Sequence, residues 1–179
     1  STGLLGAELE REGDAFRVVR IYRGDAIDRV RSPLLEPGVD VSAGDYILAV
    51  NQRPFAAELP FEASLENLAG KPVMLTVNDR PDTQGARHVV VKPLSNEHRL
   101  IYVDWVRRNR EYVAEKTGGK IGYVHIPDMG SRGLVAFNSW FYPQLTKEGM
   151  VVDVRYNGGG WVSQLILQCF QREVLSWDR

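Results

Sequence analysis

Two short apolar runs constrain this chain more than anything else in it: KIGYVHI (120–126) and MVVDV (150–154), separated by a stretch with helical periodicity. A connection that holds a helix is too long for a hairpin, so the two runs are predicted to be parallel strands joined by a right-handed crossover. The helix between them starts at Ser131, continues through GLVAFNSWFYPQL and is disturbed at Pro143. A second helix, WVSQLILQCF (161–170), follows MVVDV, which itself reads as a buried strand. The order is therefore β-α-β-loop-α. In open α/β sheets ligands bind beyond the carboxyl ends of the strands, where Asn157-Gly158-Gly159-Gly160 lies. Consecutive glycines leave backbone N–H groups bare, and the helix behind them adds partial positive charge. Such a loop is built to face an anion or a developing oxyanion.

The first half follows a different pattern. Up to Pro93 the sequence consists of short β-rich runs between turns: AELER, FRVVRIY, DYILAV, PVMLTVN and HVVVK. One helix is expected there, FEASLENLAG, with Phe61, Leu65 and Leu68 at helical spacing and Gly70 as the stop; SPLLEPG is a short turn. After Pro93, Tyr102, Trp105, Val106, Tyr112 and Val113 mark an amphipathic helix that Gly118-Gly119 ends. The expected fold class is α+β followed by α/β: a small β-barrel or sandwich over 1–94, then an α/β segment over 95–179.

Composition narrows the function. A formal charge of −1, with no basic block longer than Arg107-Arg108, gives no footprint for nucleic acid. The single cysteine, Cys169, forbids an intrachain disulfide and reads as a small buried hydrophobe. No apolar run could span a bilayer and the first residues lack the pattern of a signal peptide, so a cytoplasmic chain is expected. No metal or other cofactor is expected either.

The glycine loop has three rival readings. A Walker-type phosphate loop needs a lysine and a hydroxyl residue after its last glycine, but Trp161 and Val162 stand there. The dinucleotide fingerprint fits at Gly158 and Gly160, has Ser163 in place of its third glycine, and has Asp178 near the distance of a ribose-binding acid. Against it, Arg155, Tyr156 and Asn157 lengthen a turn that the fingerprint keeps tight. A ligand-free turn would need only one or two glycines.

GYVHIPDMG together with VVDVRYNGGGWVSQLIL resembles the core of the tricorn-type serine peptidases of family S41, relatives of the C-terminal processing peptidases. The first half agrees: GLLGAELE, VVRIYRGDAIDRVRSPLLEPGVDVSAGDYILAVNQRPF and VMLTVND resemble the PDZ domain that this family carries. The resemblance covers nearly the whole chain and implies an oxyanion at the loop, with Gly159 or Gly160 as the N–H donor. It also implies an acidic side chain that favours basic residues before the scissile bond; Asp178 matches, and reads equally well as a solvated carboxylate near a chain end.

The family's Ser-His pair lies ahead of its PDZ domain and its nucleophilic serine in a later SDGD-like segment; neither segment occurs here. His88, His98 and His125 read as structural or surface residues, Ser131 as a helix cap, and Ser139 and Ser163 as helix positions. The chain is thus expected to be an inactive piece of a larger enzyme that shortens oligopeptides, such as proteasome products, and assembles as a hexamer. Trp140, Phe141 and Trp161 are expected to form exposed apolar faces.

PDZ domains bind a peptide C-terminus as an added strand, with its carboxylate held by loop N–H groups. The resemblance places that loop at Gly3-Leu4-Leu5-Gly6, the strand at AELER, and the opposite wall at the helix from Phe61, with Ser64, Leu65 and Leu68 as side-chain contacts. Two alternatives stand beside it: a groove filled by the enzyme's own chain, and a binding module without catalysis.

Overall fold

The computed structural model describes residues 1–25 and 29–171. Each apolar β run of the first half is a strand: β1 (Ala7–Glu12), β2 (Ala15–Ile21), β3 (Tyr46–Val50), β5 (Val73–Asn78) and β6 (Arg87–Val91), with the two-residue β4 (Arg53–Pro54) after β3. They form one antiparallel sheet in the order β1-β2-β3-β5-β6, with β4 pairing β3. Alternate residues turn inward, and Phe16, Val18, Ile47, Leu75, Val77, Val89 and Val91 meet Leu34, Phe61 and Leu65 in one core. Phe16, Phe55 and Phe61 pack edge to face or tilted at 4.8–5.5 Å between ring centres.

The expected helix from Phe61 to Gly70 is a 3-10 turn of five residues, Phe61–Leu65. Glu66 leaves the helical region and Asn67 takes a left-handed φ of 59°, so the chain cannot continue the turn. SPLLEPG forms a second 3-10 turn, Pro33–Leu35. Its buried Ser32 hydroxyl accepts from the Leu34 N–H and donates to the Leu5 carbonyl.

Helix α1 (His98–Lys116) ends at Gly118-Gly119, where the Gly119 N–H reaches back to the Ala114 carbonyl. Its fully buried positions are Leu100, Val103, Asp104 and Val106, whereas Tyr112 is exposed. The chain divides into two compact units, Ser1–Trp105 and Val106–Arg179, so the division falls inside α1. Asp104 explains why the first turns of the helix go with the sheet: its carboxylate accepts from the Arg20 side chain and the Arg23 N–H.

In the second unit β7 (Ile121–His125) and β8 (Gly149–Asp153) pair in parallel, from Ile121 opposite Gly149 to His125 opposite Asp153. Helix α2 (Ser131–Phe141) joins them through a 3-10 turn, Tyr142–Gln144, in which Pro143 ends the α-helix. The Gln144 side chain donates to the Tyr123 carbonyl and accepts from the Tyr123 N–H, both at 3.0 Å, standing in for a neighbouring strand. Helix α3 (Ser163–Phe170) closes a core of Val124, Ile126, Phe137, Phe141, Val162 and Ile166.

Three expectations about exposure need correction. Phe141 is buried, stacked on Phe137 at 4.5 Å with Phe170 edge-on to both. Trp140 is half-buried beneath the Arg110 guanidinium, so of the three aromatics only Trp161 is exposed. MVVDV is not a buried strand throughout: Val151 and Val154 are exposed, because among the described residues β8 has β7 as its single neighbour. Cys169 is half-buried against the α2–α3 core, with the Tyr142 hydroxyl 3.6 Å from its Sγ.

Phe137→Ala is expected to lower the unfolding free energy by about 3–5 kcal/mol through the cavity it leaves. Trp161→Ala, at 76% exposure, should change it by less than about 0.5 kcal/mol. Urea denaturation measures both.

Candidate functional site

The loops that leave the carboxyl ends of β7 and β8 run side by side. The Ile126 N–H donates to the Asp153 carbonyl, the Met129 N–H to the Gly159 carbonyl, and the Met129 carbonyl accepts from both Trp161 and Val162. Met129 and Gly160 thereby form a parallel bridge that extends the two-stranded sheet past its strands. Side chains fix each approach to it. Asp128 Oδ1 accepts from the Gly130 and Gly133 N–H groups at 2.9 Å and so caps α2, the task expected of Ser131, which is instead the first helical residue. A Cβ at Gly133 would lie 1.6 Å from the Asp128 carbonyl oxygen, so the cap and the helix need that glycine.

On the other strand Asp153 is the anchor. Its carboxylate accepts from the Tyr123 hydroxyl at 2.6 Å, the Arg155 N–H at 2.9 Å, and the Arg155 guanidinium at 2.6–3.0 Å. The Arg155 guanidinium, followed by the Tyr123 hydroxyl and the Arg155 N–H, holds the Asp153 carboxyl well below the usual carboxylate range, against the opposing effect of burial. Burial, then the bond to Asp153, pushes the Tyr123 hydroxyl up. The buried His125 donates from Nε2 to the Arg155 carbonyl at 2.8 Å, since a carbonyl can only accept. His125 is thus a structural tie, as expected. His88 Nδ1 lies 3.2 Å from the Thr76 hydroxyl.

The glycine loop is shaped by Asn157. Its Nδ2 donates to the Ile126 carbonyl at 2.8 Å, and its Oδ1 accepts from the Gly159 N–H at 2.7 Å. Tyr156, before it, has a left-handed φ of 60° and is 89% exposed. The two candidate donors are now distinct. The Gly158 N–H goes to the Pro127 carbonyl and the Gly159 N–H to Asn157, while Trp161 and Val162 both donate to Met129. From Gly158 to Val162 only the exposed Gly160 N–H has no acceptor among the described residues. A pyrophosphate needs several convergent donors, so this arrangement also removes the support for a dinucleotide loop. Gly160 is irreplaceable for another reason: at φ 146° its Cβ would lie 2.3 Å from the Met129 backbone. Asn157 reads in the sequence only as a residue that opens and lengthens the loop, and Asp128 and Tyr123 are given no role there. The first two carried a signal, an Asx residue directly before a glycine turn and an aspartate ahead of a helix start. Asp178 lies outside the described residues.

The presumed peptide groove differs from expectation. Gly3, Leu5 and Gly6 are buried, and the loop's donors are engaged: Gly3 N–H with the Leu65 carbonyl, Leu4 N–H with the Leu94 carbonyl, and Gly6 N–H with Glu97 Oε2 at 3.0 Å. Leu65 is fully buried in the sheet core, which removes it as a peptide contact. Ser64, whose hydroxyl donates to the Phe61 carbonyl, and Leu68 line a cavity of about 550 Å³ with Arg53, Phe55, Leu59 and Ala63. Beside β1 the Arg11 guanidinium bonds the Ala56 and Leu59 carbonyls and bridges that end of the groove.

Comparison with known proteins bears on both units. The family model described as Tricorn protease PDZ domain matches residues 3–96, and the model of Peptidase family S41 matches residues 120–172. The chain is 44% identical to Tricorn protease homolog 1 of Streptomyces coelicolor, over 98% of this chain and 17% of that protein. It is 43% identical to a putative Tricorn-like protease C-terminal subunit of Sulfurisphaera tokodaii, over 93% of this chain and 19% of that protein. The crystal structure of the tricorn protease superimposes with a TM-score of 0.86 at 32% identity, covering 99% of this chain and 17% of that one. The chain therefore spans less than a fifth of the length of each of these three proteins.

Asp153→Asn should destabilise the fold by about 1–3 kcal/mol at neutral pH, because it weakens the hydrogen bonds that a buried carboxylate accepts from the buried Tyr123 hydroxyl and the Arg155 N–H. A carboxyl with a lowered pKa in the fold gives stability that is complete above the ordinary range, near pH 4, and is lost as pH falls through the lower folded value. The wild type's advantage over the variant should therefore be constant above about pH 5, shrink steadily as pH falls below about 4, and be largely but not wholly lost at about pH 2. Urea titrations from pH 7 to pH 2 check this.

Proposed function

The chain belongs to the tricorn protease family, with that family's PDZ domain and part of a family S41 peptidase domain, and from this premise we propose that its NGGG loop supplies an oxyanion donor to a serine-type peptidase cutting oligopeptides. The observation that carries this reading is the Gly160 N–H: exposed, without an acceptor among the described residues, and beyond the carboxyl ends of two parallel strands. A tetrahedral intermediate develops negative charge on the former carbonyl oxygen, and a donor about 3 Å from that oxygen, fixed beforehand, stabilises it without reorganising. Gly160 is preferred to Gly159, whose N–H already serves Asn157.

In this reading residues 1–94 are the PDZ domain and 95–179 a part of the catalytic core. The nucleophile and its base come from the enzyme's other segments, and the chain by itself does not hydrolyse peptides. The substrates are oligopeptides such as proteasome products, cut to short peptides in the cytoplasm by a hexamer. Asp178 selects a basic side chain before the scissile bond. The PDZ domain takes peptide C-termini.

Two measurements test the reading. The purified 179-residue chain should leave fluorogenic oligopeptides uncut, and turnover abolished by changing a serine or histidine within it would overturn the assignment. In the whole enzyme, exchanging Gly160 for glycolic acid, which replaces its N–H by an ester oxygen and adds no Cβ beside Met129, should lower kcat by on the order of 10²–10³ with KM little changed, since the oxyanion exists only on the way to the transition state. Gly159→Ala, whose Cβ meets open space and whose N–H is engaged, is strained by a φ of 79° and should lower the melting temperature, but kcat of its folded fraction should stay close to wild type. Near-normal kcat in both variants would remove the oxyanion role from the loop.

A further inference from the structure

The Gly3–Gly6 loop has the composition of a carboxylate cradle, and it already holds a carboxylate. Glu97, one residue before α1, places Oε2 at 3.0 Å from the Gly6 N–H. Gly6 cannot offer that N–H elsewhere without moving: it has a left-handed φ of 64°, and a Cβ on it would lie 2.7 Å from Leu100 and 3.1 Å from Ser32. The Leu4 N–H is held in a bridge to Leu94, whereas the Leu5 N–H has no acceptor among the described residues. One loop donor is therefore without a partner and its neighbour is occupied by an acidic side chain of the same chain. We propose that Glu97 is a built-in competitor for a peptide's terminal carboxylate, holding the Gly6 N–H so that only a peptide able to displace it is captured. This rests on the PDZ domain's peptide binding stated above.

A competitor has to be releasable, and the surroundings of Glu97 make it so. Burial, the largest influence, raises its carboxyl pKa, and Glu62 adds like charge. The Gly6 N–H and His98 oppose them, and the balance disfavours the ionised form relative to water. Tyr22, at the end of β2, feels the same carboxylate, and its hydroxyl is pushed up by burial and then by Glu97. The single hydrogen bond that holds this carboxylate is thus partly offset by burial and like charge, while another carboxylate taking its place in the loop would also add a strand's hydrogen bonds.

Fluorescence anisotropy on the full 179-residue chain tests this with a labelled hexapeptide ending in leucine, as free acid and as amide. Glu97→Ala should bind the free acid at least about tenfold more tightly than wild type, the order of effect of one charge-assisted hydrogen bond, and should show no gain for the amide. Glu97→Gln, whose amide oxygen can still accept from Gly6, should fall between them. Equal affinity of the wild type and a folded Glu97→Ala for the free acid overturns the inference and leaves peptide capture standing. Equal gains for acid and amide also overturn it, since the loop would not be reading the carboxylate. No binding of either peptide by any of the folded proteins overturns both readings. If Glu97→Ala does not fold, the Gly6 amide resonance of the wild type decides: it must shift with the free acid and not with the amide, and a resonance unmoved at peptide saturation overturns the inference.

Discussion

The parallel bridge between Met129 and Gly160 is the constraint on which the candidate site depends. It requires two backbones to approach so closely that no Cβ fits between them, which is why a glycine stands at 160. It also draws the Trp161 and Val162 N–H groups onto one carbonyl at the start of α3, and with them Val162 into the core beside Ile166 and Phe137. Asp128 and Asp153 hold the two loops from opposite sides, each by accepting several hydrogen bonds where the chain leaves regular structure. The loop is therefore tied by backbone hydrogen bonds to the sheet and helix below it, and the Gly160 N–H is left without an acceptor among the described residues.

Much of the architecture was legible from periodicity. Alternating residues gave the five main strands, and the apolar runs at 120–126 and 150–154 gave the parallel pair, because burial writes a period-two or continuous pattern that survives without any tertiary information. The failures have specific physical causes. FEASLENLAG has helical spacing, yet Asn67 takes a left-handed conformation and the core needs only Phe61 and Leu65, so one 3-10 turn suffices. α1 was placed by its aromatic residues, but its fully buried positions are Leu100, Val103, Asp104 and Val106, and an aspartate in that set cannot be foreseen without Arg20 and the Arg23 N–H opposite it. Trp140 and Phe141 looked like an unpartnered face because their partners, Arg110 and Phe170, are distant in sequence.

The site itself was legible only as far as composition reaches. Two stretches of this chain, GLLG and NGGG, announce the same thing, a backbone open to close approach. What they do with that backbone is decided elsewhere. The donors at Gly158 and Gly159 are taken by Pro127 and Asn157, those at Gly3, Leu4 and Gly6 by Leu65, Leu94 and Glu97. Of these only Asn157 is close enough in sequence for its Asx turn to be anticipated.

Hydrogen-bond occupancy therefore separates functions that glycine content cannot. A buried or constrained N–H that lacks a partner costs free energy, so a fold keeps one only where a ligand or reacting group supplies the acceptor, or where water reaches it. At Gly160 the neighbouring donors are all engaged and one is left, which suits a single developing charge and not a pyrophosphate. At Gly6 the donor is engaged by a carboxylate, the same chemical group that a peptide terminus would bring. An acceptor of that kind satisfies the loop in the absence of ligand and yet matches the ligand closely enough to be exchanged for it. The backbone carbonyls of Leu65, in the sheet core, and of Leu94 engage Gly3 and Leu4 and hold the loop in place. The position in the loop held by a side chain and not by backbone is thus Gly6, beside the Leu5 N–H, which has no acceptor among the described residues.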